Sequence, residues 1–186
     1  MMAEFGPPIE RPGVRAALLP DRTRLAVRGR DGTPALVAAV AAALGFAPPV
    51  AANTVAASGE AAALWLAPGE WRIVGPAEAR DRLVAALEAA VPRTLAGVVD
   101  VSDGHVGFRL DGPAAHEVLA RGCPLDLDVE LAAPASCARS LLGGVGVLLL
   151  RADAAPHFEI EAPRSYAAHL WRWLEAAAAT IAGPLD

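Results

Sequence analysis

Residues 97–126, GVVDVSDGHVGFRLDGPAAHEVLARGCPLD, contain the clearest turn and the clearest helix start of the chain. This stretch contains two largely apolar segments, 98–102 and 105–110, separated by Asp103 and Gly104. An Asp-Gly pair between two such segments is typical of a tight hairpin turn. The sequence therefore predicts a β-hairpin at the centre of this stretch.

The polar face of this predicted hairpin carries the side chains with the most chemical capacity. Because side chains alternate between the two faces of a strand, Asp100, Ser102, His105 and Arg109 share one face, opposite the apolar residues. We interpret Asp100, Ser102 and Arg109 as candidate ligand-binding or interface residues. The alternative is an exposed polar strand surface without a ligand.

Helices are predicted after Pro113, over 114–121, and after Pro163, to about residue 180, because proline is well placed in the first turn of a helix. Trp171 lies about 100° around the last helix from Leu170. It is therefore either rim packing or an interface anchor. The buried stripe of this helix is predicted to contain Tyr166, Leu170, Trp173, Leu174 and Ala177.

An internal repeat organises the chain. WRIVGPAEARDRLVAALEAA (71–90) aligns with FEIEAPRSYAAHLWRWLEAA (158–177) at a shift of 87 residues. Two copies of a strand–helix–strand–strand–helix unit predict an α+β fold made of duplicated ferredoxin-like units. We expect an irregular N-terminal arm at 1–22, a first repeat at 23–95 and a second at 96–182, with both repeats in one compact domain. Residues 46–60 are expected to form a loop.

Composition excludes several classes of protein. The net charge is −5, and all 16 basic residues are arginine. An acidic chain without a basic stripe is not expected to bind nucleic acid, and without lysine it has neither Schiff-base chemistry nor a P-loop lysine. The N-terminal sequence lacks the pattern of a signal peptide, and the apolar runs are too short to span a membrane. We expect a soluble, cytoplasmic protein.

No catalytic, cofactor-binding or metal-binding constellation is evident in the sequence. The four histidines are scattered, and Cys123 and Cys137 lie fourteen residues apart, which matches neither metal nor redox spacing. We expect two reduced thiols. Gly143 and Gly144 lie between two apolar segments, which favours a hairpin turn over a phosphate-binding loop.

Four segments resemble the gamma subunit family of heterotetrameric sarcosine oxidase. They are LWLAPGEW (64–71), VVDVSDGHVGFRLDGPAAHEVLARGCPLDL (98–127), SCARSLLGGVGVLLLR (136–151) and FEIEAPRSYAAHLWRWL (158–174). The resemblance implies a fold similar to that of the folate-binding aminomethyltransferases. It also implies a subunit without a cofactor of its own, packed on larger subunits that hold FAD, FMN and NAD. In such a complex sarcosine is demethylated to glycine, with tetrahydrofolate as the one-carbon acceptor.

The wider superfamily pattern is only partly present. Asp100-Val-Ser102 and Gly112-Pro-Ala-Ala115 match its first two motifs, but the hairpin that carries an acidic pair in the aminomethyltransferases reads GVGVLLL at 144–150. We therefore expect a retained fold, lost transfer chemistry and a structural role. One alternative is a stand-alone folate-binding or aminomethyltransferase-like protein. The other is an interaction module of a different oxidase.

Overall fold

The structure, a computed structural model, describes residues 7–181. The chain forms two compact units: an internal unit of residues 21–103, and a terminal unit made from the described residues 7–20 and 104–181. Both units combine an antiparallel sheet with helices, which confirms the α+β prediction. The elements, in chain order, are β1 (Ile9–Arg11), β2 (Val14–Leu18), β3 (Arg22–Gly29), α1 (Pro34–Leu44), β4 (Val55–Ser58), β5 (Ala61–Ala67), β6 (Glu70–Pro76), α2 (Arg80–Ala90), β7 (Ala96–Asp100), β8 (His105–Asp111), α3 (Ala115–Ala120), α4 (Leu127–Glu130), β9 (Ser136–Leu142), β10 (Val145–Arg151), β11 (His157–Pro163) and α5 (Ala167–Ala179).

The internal unit is built on a five-stranded sheet with the strand order β4-β5-β6-β3-β7. Helix α1 begins where the Thr33 hydroxyl accepts a hydrogen bond from the Leu36 backbone N–H, and it ends at Gly45, whose φ is 77°. Both helices pack on one face of the sheet. The core there includes Leu25, Val27, Leu36, Val40, Trp71, Ile73, Leu83 and Leu87.

The terminal unit contains a six-stranded sheet with the order β1-β2-β8-β11-β10-β9. Alternate residues of β8 point into its core, because successive side chains of a strand face opposite ways. Helices α3, α4 and α5 cover that face. The core there includes Val106, Phe108, Leu110, Val118, Leu119, Leu142, Leu149, Ile160, Leu170 and Leu174.

The structure confirms the internal repeat. Strands β6 and β11 begin at Glu70 and His157, 87 residues apart, and each ends at a proline that leads through a short 3₁₀ turn into α2 or α5. Each repeat has the order β-α-β-β-β-α, with a further short helix, α4, in the second. Compared with the predicted order of strand, helix, strand, strand and helix, the first repeat has one more strand, β4. This strand lies inside the segment 46–60, so the prediction of a loop is wrong there.

The prediction of an irregular arm over residues 1–22 is wrong for residues 9–18, which form the β1–β2 hairpin. Pro12 and Gly13 make its two-residue turn, and Gly13 has a φ of 73° that favours glycine. The proline, which suggested irregular structure, is the residue that sets the turn. Residues 1–6 of the predicted arm lie outside the described residues.

The predicted hairpin between 98–102 and 105–110 is also wrong. Strand β7 pairs with β3 in the internal unit, whereas β8 pairs with β2 and β11 in the terminal unit. Strand β7 ends where the Ser102 N–H donates to a side-chain oxygen of Asp100 at 2.9 Å, and a short 3₁₀ turn at Ser102–Gly104 replaces the predicted hairpin turn. The boundary between the repeats consequently falls after Asp103, not between the predicted 23–95 and 96–182. A single compact domain stays a prediction.

Candidate functional site

Four polar residues near the end of β7 contact one another through hydrogen bonds, and we call them the Asp100 cluster: Arg80, Asp100, Ser102 and Asp103. Asp100 Oδ1 accepts hydrogen bonds from Ser102 N at 2.9 Å and from Ser102 Oγ at 2.6 Å. Asp100 Oδ2 accepts from Arg80 Nε, and the other guanidinium nitrogens of Arg80 donate to Asp103 at 2.8 and 3.3 Å. Arg80 therefore bridges two carboxylates.

Ser102 connects this cluster to the sheet. Its side chain is buried, and its Oγ accepts a hydrogen bond from the Arg24 backbone N–H at 2.8 Å. The Arg24 carbonyl accepts from Val101 N at 2.9 Å. Ser102 thus continues the pairing of β7 with β3 by one side-chain bond, at a point where the backbone has already turned away.

The electrostatics of the cluster favour its charged form. Burial alone would raise the pKa of Asp100, but hydrogen bonds from the Ser102 hydroxyl, the Ser102 backbone and Arg80 together lower it below its usual range. The two carboxylates, Asp103 first, raise the pKa of Arg80. A carboxylate held ionised by three donors is a weak base, so it does not activate Ser102 as a nucleophile.

A cavity of about 240 Å³ opens beside the cluster. Its wall includes Thr23, whose hydroxyl donates to the Pro76 carbonyl at 2.7 Å. Thr23, Arg80, Ser102 and Asp103 in this wall therefore all have protein partners. The hydrogen bonds from Arg80 to Asp100 and Asp103 join the start of α2 to the end of β7. The residues that line the cavity are Asp21, Arg22, Thr23, Ala77, Arg80, Ser102 and Asp103.

The structure separates the predicted row of polar residues. Asp100 and Ser102 belong to the internal unit, whereas Arg109 lies on β8 of the terminal unit and donates from Nε to Asp111 at 2.7 Å. The hydrogen bond from Arg109 to Asp111 raises the pKa of the guanidinium. The three residues do not share a strand face, because the hairpin on which that prediction depended does not form.

Trp171 is a core residue, and its interpretation as an interface anchor is wrong. Its side chain is 8% exposed and stacks on Phe108, with ring centroids 6.0 Å apart. Tyr166, predicted in the buried stripe, is instead 51% exposed. The predicted stripe is confirmed at Leu170, Leu174 and Ala177, which are buried. Tyr166 is the exception because it lies in the 3₁₀ turn before α5.

The turn of the β9–β10 hairpin packs against helix α5 of the same unit. Its turn residue Gly143 has a φ of 57°, and a Cβ there would lie 2.7 Å from the ring of Trp173. His169 Nε2 lies 3.0 Å from the Gly143 carbonyl oxygen. The segment 136–151 contains no Asp or Glu.

The described part of the chain, residues 7–181, contains no group of three or more His, Cys, Asp or Glu side chains placed to hold a metal ion. Cys123 and Cys137 are both buried and unbridged, and Cys123 Sγ lies 3.4 Å from Ser140 Oγ. No helix in that same range is long and apolar enough to cross a membrane.

Sequence reasoning found Asp100 and Ser102 but missed their partners Arg80, Asp103 and Arg24. The signal that could have indicated their local bond is the Asp-x-Ser spacing, because an Asp side chain often accepts from the backbone two residues further on. Nothing in the sequence pointed to Arg80, twenty residues before Asp100 and one of many exposed arginines on a helix.

Comparison with known proteins gives one consistent family. The profile of the "Sarcosine oxidase, gamma subunit family" matches residues 28–180. A sarcosine oxidase subunit gamma from Arthrobacter sp. is 33% identical over 164 residues, which cover 87% of this chain and 78% of that protein.

Solved structures agree. A chain of the heterotetrameric sarcosine oxidase from Corynebacterium sp. U-96, in complex with pyrrole 2-carboxylate, superposes with a TM-score of 0.84 at 28% identity, covering 95% of this chain and 90% of that one. Aminomethyltransferase T of the glycine cleavage system from Bartonella henselae matches with a TM-score of 0.68 at 20% identity, covering 88% of this chain and 46% of that one. The second match shows the shared fold, as predicted.

Proposed function

Because this chain belongs to the sarcosine oxidase gamma subunit family, we propose that it is a subunit of a heterotetrameric sarcosine oxidase, the complex that demethylates sarcosine to glycine. In this role it binds the larger flavin-containing subunits in the cytoplasm and contributes structure to the assembly. The chemistry takes place on those subunits.

One observation carries the structural role. The carboxylate of Asp100, in the Asp-x-Ser motif, accepts hydrogen bonds from Ser102 and Arg80. The β9–β10 hairpin contains no other carboxylate that could take its place. A folate-dependent transfer needs a carboxylate near the reacting amine, and neither place offers a free one. The residues therefore do not fit tetrahydrofolate chemistry, and we assign tetrahydrofolate, FAD, FMN and NAD to the larger subunits.

Affinity purification tests this proposal. The chain carries a tag and is produced together with the larger subunits of the source organism's sarcosine oxidase. We expect the eluate to contain those subunits in fixed stoichiometry with flavin absorbance. Recovery of the tagged chain without any flavoprotein contradicts the proposal, and recovery with a different flavoprotein favours an interaction module of another oxidase.

A second function is favoured by one feature, the cavity of about 240 Å³ beside the Asp-x-Ser motif in a fold shared with aminomethyltransferase T. It is a stand-alone folate-binding protein. Titration of the isolated chain with tetrahydrofolate separates the two functions: saturable micromolar binding supports the second, whereas a flat titration supports the subunit role.

A further inference from the structure

Strand β7 leaves one edge of its sheet open. On its inner side it pairs with β3, and no strand within residues 7–181 pairs with its outer side. The hydrogen bond from Val101 N to the Arg24 carbonyl fixes the phase of this ladder: Gly97 and Val99 point their backbone groups at β3, and Val98 points its N–H and C=O outward.

Comparison of the two repeats indicates which kind of element can pair with the open edge of β7. In the strand orders of the two sheets, β7 next to β3 occupies the position of β2 next to β8. In the terminal unit this position is not the edge, because β1 pairs with β2 in antiparallel register, Ile9 opposite Ala16. The internal unit has no counterpart of β1. The same architecture thus accepts one more short antiparallel strand at this place.

Apart from Asp100 at its end, whose carboxylate is bound by Arg80 and Ser102, β7 lacks the charges and prolines that usually prevent pairing at a sheet edge. Edge strands usually carry charges or prolines that prevent pairing with other chains, and β1 has the charged residues Glu10 and Arg11. β7 reads AGVVD, with Val99 55% exposed and open space where a side chain at Gly97 would point. Beside it lies a cavity of about 390 Å³, lined by Glu88, Val91, Arg93, Ala96, Gly97 and Val98.

We propose that the outer edge of β7 binds an extended segment of a larger subunit, which adds to the internal sheet as an antiparallel strand and places an apolar side chain in the cavity beside Val91 and Val98. The partner is another subunit because the solved relative is described as heterotetrameric, an assembly of unlike chains. Main-chain hydrogen bonds supply the affinity and the cavity supplies the selectivity. This inference rests on the proposed function.

Two variants test the edge directly. Val98→Pro removes an N–H that points outward and leaves the ladder to β3 intact, since proline is tolerated at such edge positions. Val99→Lys places a charge on the exposed edge. Val129→Lys on α4 is the matched control, because Val129 is likewise an exposed valine, at 69%. Binding of each purified full chain to the complex of the larger subunits alone is measured by titration.

We expect Val98→Pro and Val99→Lys each to weaken binding about tenfold or more, and Val129→Lys to bind like the unsubstituted chain. We also expect hydrogen exchange at the Val98 amide to slow on assembly, with the Val99 amide protected already. If the unsubstituted chain binds and both edge variants bind equally well, the edge proposal is wrong and the proposed function stands. If the unsubstituted chain does not bind, the proposed function fails. A self-dimer abolished by Val99→Lys would assign the edge to a second copy and overturn the inference.

Discussion

Ser102 donates two hydrogen bonds to one oxygen of Asp100, from its backbone nitrogen at 2.9 Å and from its hydroxyl at 2.6 Å. These two hydrogen bonds form the turn that ends β7, so the Asp-x-Ser motif stabilises the local fold. The serine accepts a further bond from the Arg24 N–H, so one hydroxyl serves both the turn and the sheet. The stability of the internal unit therefore depends on it.

Ser102→Ala should lower the free energy of unfolding by about 1–3 kcal/mol, because it leaves the Arg24 N–H without its acceptor and removes one of the two hydrogen bonds that Asp100 Oδ1 accepts. Urea denaturation of the full chain measures this change. Ser165→Ala, at an exposed serine, is the control and should stay within about 0.5 kcal/mol. Equal effects of the two substitutions would argue against the bracing role of Ser102.

Asp100 should make the protein lose stability in acid. Its folded-state pKa is lowered, so its contribution is fully present above the unfolded-state value of about 3.9 and disappears as the pH falls through the folded-state value. Asp100→Asn should be less stable at neutral pH and should show a flatter loss between about pH 5 and pH 2. Chemical denaturation at a series of pH values gives the slopes. Asp31→Asn, at an exposed carboxylate, is the control for the loss of one negative charge; an unchanged slope for Asp100→Asn would mean that the ionised Asp100 does not stabilise the fold.

Gly143→Ala should destabilise the terminal unit more than Gly144→Ala. Both glycines have positive φ, 57° and 82°, so both substitutions strain the backbone. Only at Gly143 does the added Cβ meet the ring of Trp173, at 2.7 Å, whereas nothing lies within 4 Å at Gly144. We expect a difference of about 1–3 kcal/mol, measured by denaturation. Similar losses at both positions would mean that Trp173 does not pack on this turn.

Trp171→Ala should cost about 3–5 kcal/mol of unfolding free energy, because it removes a ring that is 8% exposed and stacked on Phe108. Tyr166→Ala, at a ring that is 51% exposed, should cost less than about 1 kcal/mol. The reverse order would mean that Tyr166 is buried, as the sequence predicts, and that Trp171 is not. Denaturation monitored by far-UV circular dichroism compares the two variants.

The repeat was predictable because it depends on periodicity and on two prolines, Pro76 and Pro163, that occupy equivalent places. The course of the chain after Asp100 was not, because Asp103 and Gly104 fit a hairpin as well as they fit a 3₁₀ turn. Local sequence does not show that β7 pairs with β3, about seventy residues earlier. The brace to Arg80 was hidden for the same reason, since long-range pairing decides which side chains meet.

The buried face of α5 shows a second limit. It is wider than the predicted stripe and includes Trp171. Periodicity correctly predicts the burial of Leu170, Leu174 and Ala177, but it extends the stripe to Tyr166, which lies in the short 3₁₀ turn before the helix. Such turns leave little trace in the sequence, whereas the identity of the apolar residues is clear.

We propose that this chain supports a sarcosine oxidase complex without taking part in its chemistry. The rate of sarcosine oxidation per assembled complex, with the flavin content as the count of complexes, is measured for the unsubstituted chain and for Asp100→Asn. We expect equal rates for the two assembled complexes. A large loss of rate, about a hundredfold, in a complex of normal stoichiometry and flavin content would place Asp100 in the reaction and overturn the structural role.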